Sequence, residues 1–429
     1  MNARDLVRPV ALRTRGRTAL ILLASAALML APVWASPAAA TPPAIGIVCT
    51  EQPLDDSPTF DLETATGYIS QPDGNSVFSW GYEVEGGSYQ LPGPILCVTE
   101  GDHVTVNLTN TALPEAASLS FPGQVGVAAT GGCTGLFTQE ASSGCGSVSY
   151  EFDANEPGTY LYESGTNPGK QVQMGLYGAL VVRPTMGPEY AYDDAATRFD
   201  GEFIIVIGEV DPDLHRAVEL GQPYDVTAFH PRYWHINGRS FPDVIAPNYA
   251  PWLPSQPYGG VVLVEPYNAS TNPYPALIRY INAGMVNHPF HPHGDHLRVI
   301  ARDGRLLRGA GGQDTSFENF TRTVGSGQTY DLLFDWTVAD PWIDPGGDPV
   351  PVTIPGLQNL VFKDDFTFYS GDAELGEQGP LPVGVTSFNS CGEYYFPWHS
   401  HAVFEFTNFD EGFGGLATVV RVDPPGGCP

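Results

Sequence analysis

Ten histidines are unevenly spread along the sequence, and six of them fall in two short segments. The first, NHPFHPHGDH over 287–296, holds His288, His291, His293 and His296; the second, PWHSHA over 397–402, holds His399 and His401. In an extended strand, residues i and i+2 share a face. His291 and His293 therefore form one pair, and His399 and His401 another. If the two strands pair or pack, four imidazoles converge, a donor set suited to copper, zinc, nickel or iron. The plainer alternative is four surface or hydrogen-bonded histidines. Asp295 and His296 are candidates to steady the ligands from outside, or are solvated loop residues. His103, His215, His230 and His235 have no motif context and are expected to be structural or exposed. Ser400, His288 and Glu405 superficially resemble a hydrolase triad, but no nucleophile elbow or oxyanion motif accompanies them.

These residues need rigid elements to hold them, and the patterning predicts strands. From His103 to Asn110, Val104, Val106 and Leu108 face one way while Thr105, Asn107 and Thr109 face the other. GALVVR over 178–183 reads as a buried strand, and EFIIVIGEV over 202–210 opens a second apolar series. Further strands are expected over 276–282, 296–302, 330–335 and 416–422. No long amphipathic helix stands out; 193–198 is expected to form one or two turns. The fold class is all-β, divided into a first domain over 44–186, a linker over 187–200 and a second domain over 201–429. A Gly/Pro-rich excursion from Ala339 to Ser390 is expected to form loops over one end of the second domain.

Composition narrows the function. Of 429 residues, 49 are Gly and 40 are Pro, without a three-residue period, which excludes collagen and suits short strands joined by turns. The formal charge of −29 makes binding to nucleic acid or to anionic membranes unfavourable. Only two lysines occur, Lys170 and Lys363. The start of the chain has Arg4, Arg8, Arg13, Arg15 and Arg17, then an apolar run from Ala19 to Ala35, then Ala38-Ala39-Ala40. That layout predicts a signal peptide over 1–40 and a secreted, periplasmic or extracellular protein with no membrane span after its removal. Six cysteines fit three disulfides in such a compartment, and no C-x-x-C pair suggests a thiolate zinc site. Fifteen pairings are open; the short Gly-rich loop favours Cys133–Cys145, followed by Cys49–Cys97 and Cys391–Cys428.

A family resemblance emerges from the histidine segments. HPFHPHGDH followed by LRVIARDGR resembles the first copper-ligand motif in the last domain of multicopper oxidases, and PWHSHAVFEFTNFDEGFGGLATVV resembles their second motif, a His-Cys-His run. PGPILCVTEGDHVTVNLTN is similar to the opening of their first cupredoxin domain, and GTYLYESGTNPGKQVQMGLYGALVVRP to its close. INGRSFPD and LIRYINAG match the start and middle of the last domain. The resemblance implies two cupredoxin-like Greek-key β-sandwich domains and a copper cofactor.

The departures matter as much. Where the family has the blue-copper cysteine, this chain has Ser400, a hydroxyl that cannot supply a thiolate–copper bond. Where the family has a histidine four residues after His401, it has Glu405. First-domain histidine motifs are replaced by Ser120-Phe121-Pro122-Gly123 and by Glu163-Ser164-Gly165. Against that pattern the remaining metal candidates are His291, His293, His399 and His401, with His288 and Glu163 as weaker ones. A bound copper is expected to be mononuclear, although in the family His293 and His399 serve one ion while His291 and His401 serve others. The vacated blue-copper pocket is expected to be a hydrogen-bonded Ser400/His288/Glu405 cluster. The family implies oxidoreductase activity, but the incomplete ligand set leaves two readings: a copper-binding protein exchanging electrons with an external redox partner, or a metal-free interaction scaffold. Two-domain relatives form trimers; a homotrimer of this chain would lack the same ligands in every subunit.

Overall fold

The computed structural model describes residues 43–50, 57–336, 394–412, 414–423 and 427. The expected signal peptide, the 339–390 excursion and the Cys391–Cys428 pair fall outside them. The first sandwich packs a five-stranded sheet, built from strands Thr59–Ser70, Ser76–Val84, His103–Thr109, Ala128–Gly131 and Val148–Asp153, on a three-stranded sheet of Leu96–Thr99, Gly158–Glu163 and Tyr177–Arg183. The second packs two larger sheets, one around Gly201–Val210, Ala276–Asn282, Leu297–Arg302 and Thr329–Phe334, the other around His288–Pro292, Tyr394–Ser400 and Ala417–Val422. The fold is thus two cupredoxin-like β-sandwiches. Strands follow from alternation: Val104, Val106 and Leu108 are wholly buried while their neighbours reach the surface.

The two apolar runs singled out in the sequence are strands buried on both faces. In Tyr177–Arg183, Leu180 and Val182 enter the first core while Tyr177, Ala179 and Val181 face the second sandwich. In Gly201–Val210, Phe203, Ile205 and Ile207 enter the second core while Ile204, Val206 and Val210 face the first. Disulfides Cys49–Cys97 and Cys133–Cys145 are both present, as expected. Residues 187–200 pack closely rather than trailing: Tyr192 and Phe199 are buried against Leu277 and Leu333, and a 3-10 turn at Ala195–Thr197 is capped by Asp194. A helix that the sequence reading missed, Pro212–Glu219, has its start marked by Asp211, whose carboxylate accepts the backbone N–H groups of Asp213 and Leu214, with Pro212 in the first turn.

A buried ionic array crosses the seam between the sandwiches. Arg279, fully buried, donates to Glu202 (2.7 Å) and Thr159 (2.8 Å) and pairs with Asp331 (3.3 Å); Arg183 donates to the other oxygen of Glu202 (2.7 Å). Burial would raise the Glu202 pKa, but the two guanidinium groups outweigh it and hold the carboxyl below its usual range. Thr159 and Arg183 belong to the first sandwich, Arg279, Glu202 and Asp331 to the second. Replacing one partner leaves a buried charge uncompensated. Glu202→Gln is therefore expected to cost about 3–5 kcal/mol in urea unfolding; a loss below about 1 kcal/mol would mean that apolar packing alone holds the seam.

Candidate metal centre

Strand His288–Pro292 pairs antiparallel with Tyr394–Ser400 so that His291 lies opposite His399 and Phe290 opposite Ser400. Phe290 and Trp398 fill the core and fix this register, and the Trp398 indole donates to the His293 carbonyl at 3.0 Å. The register puts all four expected imidazoles on one side. Ring centroids of His291 lie 4.8 Å from His293, 5.6 Å from His399 and 5.1 Å from His401; those of His293 and His399 are 5.2 Å apart.

Hydrogen bonds select the tautomers. His291 donates through Nδ1 to the Phe320 carbonyl (2.7 Å), and His399 through Nδ1 to the Ser400 carbonyl (2.7 Å), which leaves each Nε2 with its lone pair. Phe406 packs on the His399 ring at 4.9 Å. The Nε2 atoms of His293 and His399 are 3.1 Å apart, a hydrogen bond in which His293 Nε2–H donates to the His399 lone pair. Two nitrogens each about 2.0 Å from one ion are separated by roughly 2.8–3.3 Å for square-planar to tetrahedral angles, so this pair fits two positions of one coordination shell. Burial and the neighbouring imidazoles push the His293 pKa down to about 4. Burial also lowers His399 and His291. All three are neutral at pH 7, the form that ligates. Among the described residues no three His, Cys, Asp or Glu side chains are grouped around one point as a metal shell requires. The pair, not the quartet, is the part of the cluster that fits an ion.

The other face of the same strands carries a different chemistry. His288, fully buried, has Glu405 at Nδ1 (2.9 Å) and Glu209 at Nε2 (3.2 Å). The Ser400 hydroxyl accepts the Ala402 N–H at 3.1 Å. The expected Ser/His/Glu cluster is thus corrected: Glu405 joins His288, but the second partner is Glu209. The two carboxylates bracket the ring at opposite nitrogens, which leaves His288 no lone pair for a metal and gives Ser400 no base. Glu209 is held in turn by the Gln173 amide (2.8 Å) and the Met285 N–H (2.6 Å). Gly284 makes room for it; a Cβ there would sit 1.8 Å from Glu209 Oε2. Glu209 was legible in principle, being the second of two acids in EFIIVIGEV and the one that shares the inward parity of Phe203, Ile205 and Ile207.

The first-sandwich positions come together as well. Ser120 and Glu163 form an antiparallel bridge, with Ser120 N–H donating to the Glu163 carbonyl at 2.7 Å. The Glu163 carboxyl is half-buried and its pKa is raised by burial. His215 and His235 are buried structural residues, and His103 is an exposed partner of Asp153.

Two such sandwiches, with histidines on paired strands of the second, define a cupredoxin-type protein. Residues 79–187 match the family model for multicopper oxidase. An L-ascorbate oxidase from Cucurbita maxima is 30% identical over 294 residues, covering 63% of this chain and 46% of that protein. Laccase-25 from Oryza sativa subsp. japonica is 28% identical, covering 57% and 38%. The chain thus spans less than half the length of either relative. A blue copper oxidase structure from Nitrosomonas europaea shares the fold with a TM-score of 0.55 at 19% identity, covering 85% of both chains. Over the matched residues the chain is thus similar to the multicopper oxidases, a family that implies copper and oxidoreductase chemistry. Among the described residues no helix is long and apolar enough to cross a membrane.

Burial would lower the His288 pKa, but its hydrogen bonds to Glu209 and Glu405 outweigh that and hold it at about 9. A raised folded-state value means stability that is complete below the unfolded value near 6.5 and is lost as pH rises through 9. About 3 kcal/mol is at stake. Urea midpoints are expected to fall between pH 7 and 10, and Glu405→Gln to flatten that fall by removing one of the carboxylates that holds the proton. A wild-type profile flat across this window would overturn the assignment.

Proposed function

We propose that this chain is an exported copper-binding protein of multicopper-oxidase type that holds one copper on the second-sandwich histidines and lacks the blue-copper relay. The observation that carries the reading is the 3.1 Å separation of His293 and His399 Nε2, with the His399 ring already oriented by its Nδ1 hydrogen bond. His291 and His401 stand beside the pair as further donors within a side-chain movement. Copper, when bound, supplies one-electron chemistry between Cu(II) and Cu(I). The residues present supply the oriented Nε2 lone pair of His399, the His293 Nε2 beside it, whose proton a metal would displace, a neutral site at pH 7 and an aromatic wall from Phe406. They do not supply a thiolate, since Ser400 stands at that position and His288 is bracketed by carboxylates. Electrons would accordingly pass to an external partner rather than along an internal relay. The leader pattern of residues 1–40 and the two disulfides support export.

The absence of a three-donor group among the described residues favours one competing reading, a metal-free cupredoxin scaffold. Copper titration of the chelator-stripped protein separates the two. One Cu(II) per chain is expected, with no intense band near 600 nm, and His293→Ala with His399→Ala is expected to weaken uptake at least 100-fold, about 2.8 kcal/mol. No uptake, or uptake indifferent to the double substitution, establishes the scaffold or another site. Four coppers per chain would overturn both readings.

A further inference from the structure

A cavity of about 800 Å³ lies where the first sandwich meets helix Pro212–Glu219, away from the histidine cluster. Trp80, Lys170, Leu214, Val218, Tyr224 and Met285 are among the residues that line it. Its volume is that of a pocket for a drug-sized ligand, and seams between packed units are where such pockets occur. Three of the walls are held by partners outside the cavity. Lys170 is paired with Glu115 at 2.6 Å, Tyr224 donates to Asp211 at 2.5 Å, and Met285 is anchored through its N–H to Glu209. The pocket is therefore formed before anything enters it, which lowers the cost of binding.

The chemistry of the lining restricts the occupant. Lys170, one of two lysines in the chain, lies 5.1 Å from the Trp80 ring centroid, and its charge is already matched by Glu115. The cavity thus presents no uncompensated charge. An anion would have to enter against the −29 charge of the chain and displace Glu115. A cation would find no free carboxylate on the wall. Apolar side chains remain open to solvent at the mouth, Val226 at 76% and Met285 at 43% exposure. The aromatic rings among the lining residues, the Trp80 indole, the Tyr224 phenol and the Phe229 ring, favour a planar guest.

We infer that this seam cavity is a binding site for an uncharged, planar aromatic small molecule. The site is independent of copper and of the histidine cluster, so it stands or falls apart from the proposed function. The test uses two fluorescent probes of similar size on the purified full-length protein: neutral N-phenyl-1-naphthylamine and anionic 1-anilinonaphthalene-8-sulfonate. The neutral probe is expected to bind saturably, one per chain, at least tenfold more tightly than the anion. Val218→Arg, which places a charged chain in the cavity, is expected to weaken it at least tenfold. Val125→Arg, at an exposed apolar residue outside the lining, is expected to leave it unchanged. Thermal melts of both variants show whether each remains folded; if Val218→Arg does not, Val226→Asp at the exposed mouth takes its place. Preference for the anion, absence of saturable binding, or equal binding by the folded cavity variant would overturn the proposal.

Discussion

Strand alternation at one antiparallel pairing governs the chemistry of this molecule. With His291 opposite His399, residues 291 and 399 face outward, and His288, Phe290 and Ser400 face the core. A slip of one residue would exchange the two sets. Imidazoles would enter an apolar interior, and the bracketed His288 would be pulled away from both of its carboxylates. Phe290 and Trp398 resist that slip because each fills the core completely, and the final strand Ala417–Val422 holds the other edge of Tyr394–Ser400. The register is thus set by apolar packing, and the polar chemistry on both faces inherits it.

Two ionic arrays lie beneath this surface, and they solve the same problem differently. Arg279 is one buried cation serving two carboxylates; His288 is a titratable one between two others. Among the described residues, Arg279 Nη2 in the first array and Glu405 Oε1 and Gln173 Oε1 in the second have no hydrogen-bond partner. Buried ion pairs of this kind seldom add much net stability over apolar replacements, but removing one member is costly. Both arrays also tie the sandwiches together: Thr159 and Arg183 reach Arg279 and Glu202, and Gln173 reaches Glu209. The seam is consequently specified by direction as well as by area, since an apolar contact alone tolerates sliding.

What the sequence disclosed, and what it withheld, follows the range of the interactions. The pairing of His291 with His293 and of His399 with His401 is local, and period-two alternation makes it readable. So are the doubly buried strands, because continuous apolar runs have no other economical home. The role of Glu209 depends on His288, 79 residues away, and on Gln173 in the other sandwich. No local pattern announces such partners, although its inward parity among apolar residues was a signal. The helix at 212–219 is too short for amphipathic periodicity to be decisive, and only the Asp211-Pro212 start marks it. Histidine count likewise places donors without showing where their lone pairs aim; the Nδ1 hydrogen bonds of His291 and His399 do that.

The separation of the two faces bears on what kind of redox chemistry the chain can host. A relay needs a donor site and an acceptor site joined through the short strand segment between them. Here the inner site is occupied by protein charge: one imidazolium between two carboxylates, with a hydroxyl where a sulfur donor would be needed. On the proposed reading a metal would lie on the outer face, where His401 is exposed and solvent could complete the shell. An ion so placed is open to direct encounter with another molecule, whereas a core-buried site would be shielded from it. Strand parity, by assigning three neutral imidazoles to the surface side and the charged one to the interior, has already made that division before any metal arrives.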